Sequence, residues 1–165
     1  MKKILFTLIL SLALQSCDWI KSLGPEETFF CKINGQKFRP DKDNSPIGGW
    51  GSKPLEAKWI MDDSLLTIGV RNNPLFIGFN IKLNSKTLKE GEFILSNELK
   101  HSIGFLTTNR NASNVIYYVS TSGKFVLSEI DGYNISGTFE FVCKDSTNNK
   151  EYRITEGEFN KLSYY

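Results

Sequence analysis

The stretch from Gly123 to Cys143, GKFVLSEIDGYNISGTFEFVC, constrains the fold more than any other part of the chain. Asp131-Gly132 sits between two runs of alternating apolar and polar residues. An Asp-Gly pair in that setting is a strong hairpin signal, because the turn needs positive φ and glycine adopts it without a steric penalty. In the second arm Tyr133, Ile135, Phe139, Phe141 and Cys143 fall on one side, and Asn134, Ser136, Thr138 and Glu140 on the other. That is the period of a half-buried strand. Phe125 and Leu127 begin the first arm in the same phase and Ile130 breaks it, which predicts a bulge near Glu129.

The same alternation recurs along the chain. Asn34-Gly35 within FFCKINGQKF predicts a second hairpin, with Phe29, Cys31 and Ile33 inward before it and Phe38 after it. Residues 40–54, rich in Pro, Gly, Asp and Ser, read as a loop. LEAKWIM turns at Asp62-Asp63-Ser64 into LLTIGV, Asn72-Asn73-Pro74 breaks that strand, and LFIGFNIKL follows with Ile77, Phe79, Ile81 and Leu83 on one side. Phe93 and Leu95 begin a short strand after Gly91, HSIGFLTT and NVIYYVSTS are two more, and Thr121-Ser122-Gly123 is read as the turn into the opening hairpin. EYRITEGEF closes the sheet, with Gly157 marking a bulge or an edge, and Tyr164 and Tyr165 pack along the rim. No mature segment carries a capped 3.6-residue period. The expected fold is all-β, an antiparallel meander of about ten strands closed into a sandwich or flattened barrel.

The amino terminus has a different character. MKKILFTLILSLALQSC carries Lys2 and Lys3, then an apolar run from Ile4 to Leu14 too short to span a bilayer, the anatomy of a secretory signal. Leu14-Gln15-Ser16-Cys17 resembles the lipobox of bacterial lipoproteins. The resemblance implies cleavage before Cys17, lipidation of its sulfur and acylation of its new amino group. Several chains on one residue anchor firmly, since each buried methylene contributes about 0.8 kcal/mol. Residues 1–16 are thus a leader, 17–28 a lipidated cysteine and tether, and 29–165 one domain. Without Lys2 and Lys3 the 20 basic residues fall to 18, equal to the 18 acidic ones. A neutral mature chain with no basic cluster argues against nucleic acid as a partner. The expected attachments are the membrane, through the anchor, and an envelope protein or glycan.

Cys31 and Cys143 remain, in a compartment that permits disulfides. A bridge between them would close a long loop, worth roughly 4 to 5 kcal/mol by chain entropy. The alternative is two buried, inert thiols. Beyond the leader, FxCKINGQxF, LKEGEF and TSGKFVLSEIDGYNISGTFEF through ITEGEF resemble a family of small Bacteroidota-type envelope lipoproteins of unknown function. That resemblance implies an all-β lipoprotein domain at the cell envelope and brings no catalytic residue; the expected location is the outer membrane, on its periplasmic or surface face.

Chemistry has little to build on. His101 is the single histidine and has no neighbouring Ser or Cys at a spacing that suggests a partner, so it reads as a satisfied surface residue. With Cys17 acylated and the other cysteines paired, His101 alone furnishes no zinc site, and no metal or other cofactor is expected. Asp41-x-Asp43-x-Ser45 echoes a calcium loop, but Pro46 replaces the turn glycine. Asp62-Asp63 reads as two solvated turn residues. Trp50, in a Gly-rich loop, is the candidate ligand contact, against the alternative that it plugs one end of the fold. Tyr117-Tyr118 puts one ring on each face of its strand. The chain is therefore read as a non-catalytic binding or accessory module. A calycin-like carrier of a small apolar ligand is the alternative, and a hydrolase of envelope polymers comes third.

Overall fold

The computed structural model describes residues 27–43, 53–98, 101–109, 115–145 and 150–165. They form ten strands: β1 (Phe29–Ile33), β2 (Gln36–Phe38), β3 (Leu55–Ile60), β4 (Leu65–Asn72), β5 (Leu75–Lys82), β6 (Gly91–Ile94), β7 (Ile103–Thr107), β8 (Tyr118–Asp131), β9 (Asn134–Lys144) and β10 (Glu151–Ser163). The strands pair antiparallel in the order β2-β1-β10-β9-β8-β7-β5-β4-β3, with β6 added on β8. The sheet curls into a half-barrel. Its flanks are tied by an isolated bridge between Ala57 and Tyr164, by the Trp59 amide donating to the Tyr165 carbonyl at 2.8 Å, and by the Asp41 amide donating to the Arg71 carbonyl at 2.8 Å. Tyr164 and Tyr165 thus serve as a seam, beyond the rim packing expected of them.

The period-two pattern puts Leu66, Ile68, Val70, Ile77, Phe79, Ile81, Phe125, Leu127, Ile135, Phe139 and Phe141 in the core. Phe79 is its centre, with ring centroids 5.4 Å from Phe125, 4.8 Å from Phe139 and 5.7 Å from Phe141. Pairs at these separations add to plain area burial. The Asn34-Gly35 turn forms as expected, at φ 50° and 80°. The register slips between Leu127 and Glu129, the predicted bulge, and again between Ile154 and Gly157.

Three expectations are corrected. The hairpin pair is Asp131 with Asn134, so the turn residues are Gly132 and Tyr133, and Tyr133 lies in solvent instead of the core. Thr121-Ser122-Gly123 is no turn. β8 runs through it for 14 residues with a register shift between Ser120 and Ser122. Glycine is needed there because a Cβ on Gly123 would stand 2.4 Å from the Glu140 carbonyl oxygen. The kink lets one strand pair with β7 before it and with β6 after it.

The third correction is the disulfide. Cys31 and Cys143 are free and fully buried. β10 lies between their strands, and Cys31 falls in the β1 bulge opposite the Thr155–Glu158 part of β10. Gly157 there faces Phe139, whereas Cys143 faces Tyr152. The thiols are therefore two strands apart and about four residues out of step, about 13 Å along β9 alone. A bridge needs Cα atoms within about 7 Å. Burial pushes both thiols up to about 12, away from the reactive thiolate.

Candidate functional site

The excursion from Leu95 to Ser102 interrupts what would otherwise be one strand beside β8. Gly91–Ile94 pairs with Lys124–Leu127, and Phe105 and Leu106 pair with Val119 and Tyr118. β6 and β7 therefore occupy one column. β7 is also paired with β5, down to Asn80 opposite Ile103, whereas among the described residues β6 has no strand on its far side, and just past its end Leu95 makes an isolated parallel bridge with Ser102. Where β5 runs on past β7, the wall opens into a cleft of about 530 Å³. Asp63 from the β3–β4 turn, Lys82 from the end of β5, Glu92, Phe93 and Ile94 from β6, and His101 line it. Phe93 is half-buried against Phe125, and Ile94 is 61% exposed.

His101 is held by a partner that sequence spacing did not suggest. The Ser96 hydroxyl lies 2.7 Å from Nδ1 of His101, and Ser96 Oγ also accepts the Glu98 amide at 3.2 Å. Which of the two donates in the Ser96–His101 contact follows from the ring's tautomer. The Glu98 carboxylate is also on Nδ1, at 3.4 Å. In a hydrolytic triad the serine and the carboxylate occupy opposite ring nitrogens. Here both lie on Nδ1.

The other candidates are dispersed. Trp50 and Cys17 lie outside the described residues, as does Ser45 of the Asp41-x-Asp43-x-Ser45 pattern. Asp41 is a structural acceptor, taking the Asn73 amide at 3.1 Å. Tyr118 is buried against Tyr152 at 5.2 Å, and Tyr117 is exposed with its ring 5.6 Å from Phe105, as the alternation predicts. No three His, Cys, Asp or Glu residues among those described cluster to hold a metal. The rings of Phe125, Phe139 and Phe141 pack around Phe79 in the interior. Asp62 and Asp63 are exposed turn residues, as expected, and Asp63 also lines the cleft. No local signal could have found the cleft, because its walls come from four separate segments.

Fold and cleft define an all-antiparallel half-barrel with a polar, ring-edged opening in its wall. Residues 34–163 match the family described as Domain of unknown function (DUF6252), and the chain belongs to that family. No curated protein and no solved structure matches it.

Proposed function

We propose that the protein is a lipid-anchored cell-envelope protein, held at the outer membrane through Cys17, and that its half-barrel is a non-catalytic binding or accessory module. The observation that carries the binding half is the cleft: a concavity with an exposed aliphatic side chain, an aromatic edge, and acidic and basic groups converging on it, the usual make-up of a recognition site. What supports the absence of catalysis is that Ser96 and Glu98 meet the same nitrogen of His101, which leaves no relay to a nucleophile. The anchor rests on Lys2-Lys3, the apolar run and Leu14–Cys17.

The test has two arms. Cells expressing the full chain and fed an alkynyl fatty acid should label the wild type and leave Cys17→Ser unlabelled and released from the membrane fraction. Mature protein with an unmodified amino terminus would remove the anchor. For catalysis, the folded domain should turn over neither glycan nor peptide libraries. Turnover lost on Ser96→Ala would replace the module with a hydrolase.

A further inference from the structure

The cleft is bounded by main chain as much as by side chains. The Leu95 amide donates to the Gly123 carbonyl at 2.9 Å, which makes Leu95 and Gly123 a hydrogen-bonded pair of the β6–β8 ladder. Antiparallel pairs alternate, so Phe93 with Phe125 and Gly91 with Leu127 are bonded pairs too. Glu92 and Ile94 are the intervening pairs, so their main-chain groups point away from β8: the parallel bridge of Leu95 with Ser102 sets the Ile94 carbonyl toward the Ser102 amide, and the Glu92 amide and carbonyl and the Ile94 amide face the opening. On the facing wall the Leu83 amide donates to the Ser64 carbonyl at 2.9 Å, toward β4, so the main chain of Lys82 and Asn84 points the other way. The Lys82 amide there is taken by the Ser102 hydroxyl at 3.0 Å, a side chain standing in for a missing strand.

The cleft is therefore a place where a strand is absent from a wall. Other edges are blunted: β2 has three residues and carries Lys37, and the free side of β3 is occupied by Tyr164 and Tyr165. Short or charged edges resist pairing. β6 instead offers an exposed isoleucine and a glutamate with no ion pair among the described residues.

We infer that an extended polypeptide segment docks along β6, completing the wall by strand addition, with a basic residue opposite Glu92 and an apolar one two positions on, opposite Ile94. Side chains two apart on a strand share a face, and directly opposed pairs carry the selectivity. Strand addition takes its affinity from the main chain and its choice of sequence from these two contacts. The inference rests on the binding-module reading and names its ligand class.

The test uses the mature protein and a capped hexapeptide library with Lys or Arg fixed two positions from Val or Ile. Binding should be lost when the selected peptide is N-methylated on the residues facing β6, which removes donors and keeps side chains. In hydrogen exchange the Glu92 and Ile94 amides should slow in the complex, with Phe93 unchanged. Ile94→Pro deletes a donor facing the cleft and no bond to β8, and should weaken binding about tenfold. Glu92→Lys, which leaves the backbone alone, should invert the preference from basic to acidic peptides. Absence of peptide binding, binding indifferent to N-methylation, or protection elsewhere on the domain overturns the inference. If oligosaccharides bind this cleft and peptides do not, strand addition fails while the binding module stands. If neither class binds, both fail.

Discussion

β6 and β7 share a column of the sheet, yet one is wall and the other is opening. β7 is paired on both sides, Leu106 and Thr107 are buried, and the Phe141 ring covers Gly104 at 3.2 Å from where its Cβ would stand. β6 is paired on one side and turns Glu92 and Ile94 to solvent. The difference comes from the Leu95–Ser102 excursion, pinned at its neck by the Ser96 amide donating to the Ser102 carbonyl at 3.0 Å. A half-barrel can thus hold its fold with one half of a column and keep main-chain bonding capacity free in the other.

The comparison breaks if the two halves respond alike to truncation. Phe79→Ala, at the level of β7, removes the ring that meets Phe125, Phe139 and Phe141, and is expected to cost about 4 kcal/mol. Phe93→Ala in β6 removes a half-buried ring with one aromatic contact and should cost about half as much. Urea midpoints measure both, and equal losses would mean that β6 is as much part of the core as β5.

A sharper contrast lies within one cross-strand row, Gly91–Leu127–Gly137–Phe159. A Cβ on Gly137 would meet the Val126 carbonyl oxygen at 2.0 Å and the Phe159 ring at 2.5 Å, whereas one on Gly91 meets only the Phe93 ring at 3.7 Å. Backbone cannot move aside as a side chain can. Gly137→Ala should therefore cost about 3 kcal/mol and Gly91→Ala less than about 0.5, read from the same unfolding curves.

The parts of this contrast that were legible in the sequence are those that a single strand records. Alternation gave the inward faces of β1, β4, β5 and β9, and the break at Ile130 announced the bulge after Leu127. Tyr133 was misplaced because Asp131 belongs to the ladder and the turn begins one residue later. Gly123 looked like a turn because a bulge and a turn ask the same thing of the backbone. Pairing between strands leaves no mark on local periodicity, so nothing in FFCKI or FEFVC revealed that β10 lies between Cys31 and Cys143. The cleft was illegible for the same reason. It arises where β5 and β6 fail to pair, and Asp63, Lys82, Glu92 and His101 meet there from distant parts of the chain.

The buried thiols extend the comparison to pH, because both belong to the closed wall. Burial raises each to about 12 from 9.0, so the folded state keeps its protons where the unfolded chain has released them. Their contribution is fully present below about pH 9 and is lost progressively as the pH rises toward 12. Between pH 8 and pH 10 each thiol should remove about 1.4 kcal/mol of stability. The double variant Cys31→Ala, Cys143→Ala should lose that part of the slope, whatever its stability at pH 8. An unchanged slope would mean that the thiols are solvated in solution.

The smallest effect expected is at the open edge itself. Ile94 is a large apolar residue on a strand, and by propensity alone Ile94→Ser would weaken a sheet. Its side chain is 61% exposed and its main chain makes no ladder bond to β8, so little native contact is removed. The urea midpoint should shift by less than about 0.5 kcal/mol, against roughly 3 for Leu106→Ala in the paired half of the column. Hydrogen exchange on the unsubstituted protein gives the matching backbone readout. Phe93, bonded to β8, should exchange slowly, and its neighbours Glu92 and Ile94 fast. An Ile94→Ser loss near that of Leu106→Ala, or uniform protection along β6, would mean that the edge is already occupied by the chain itself, and the opening in the wall would be closed in solution.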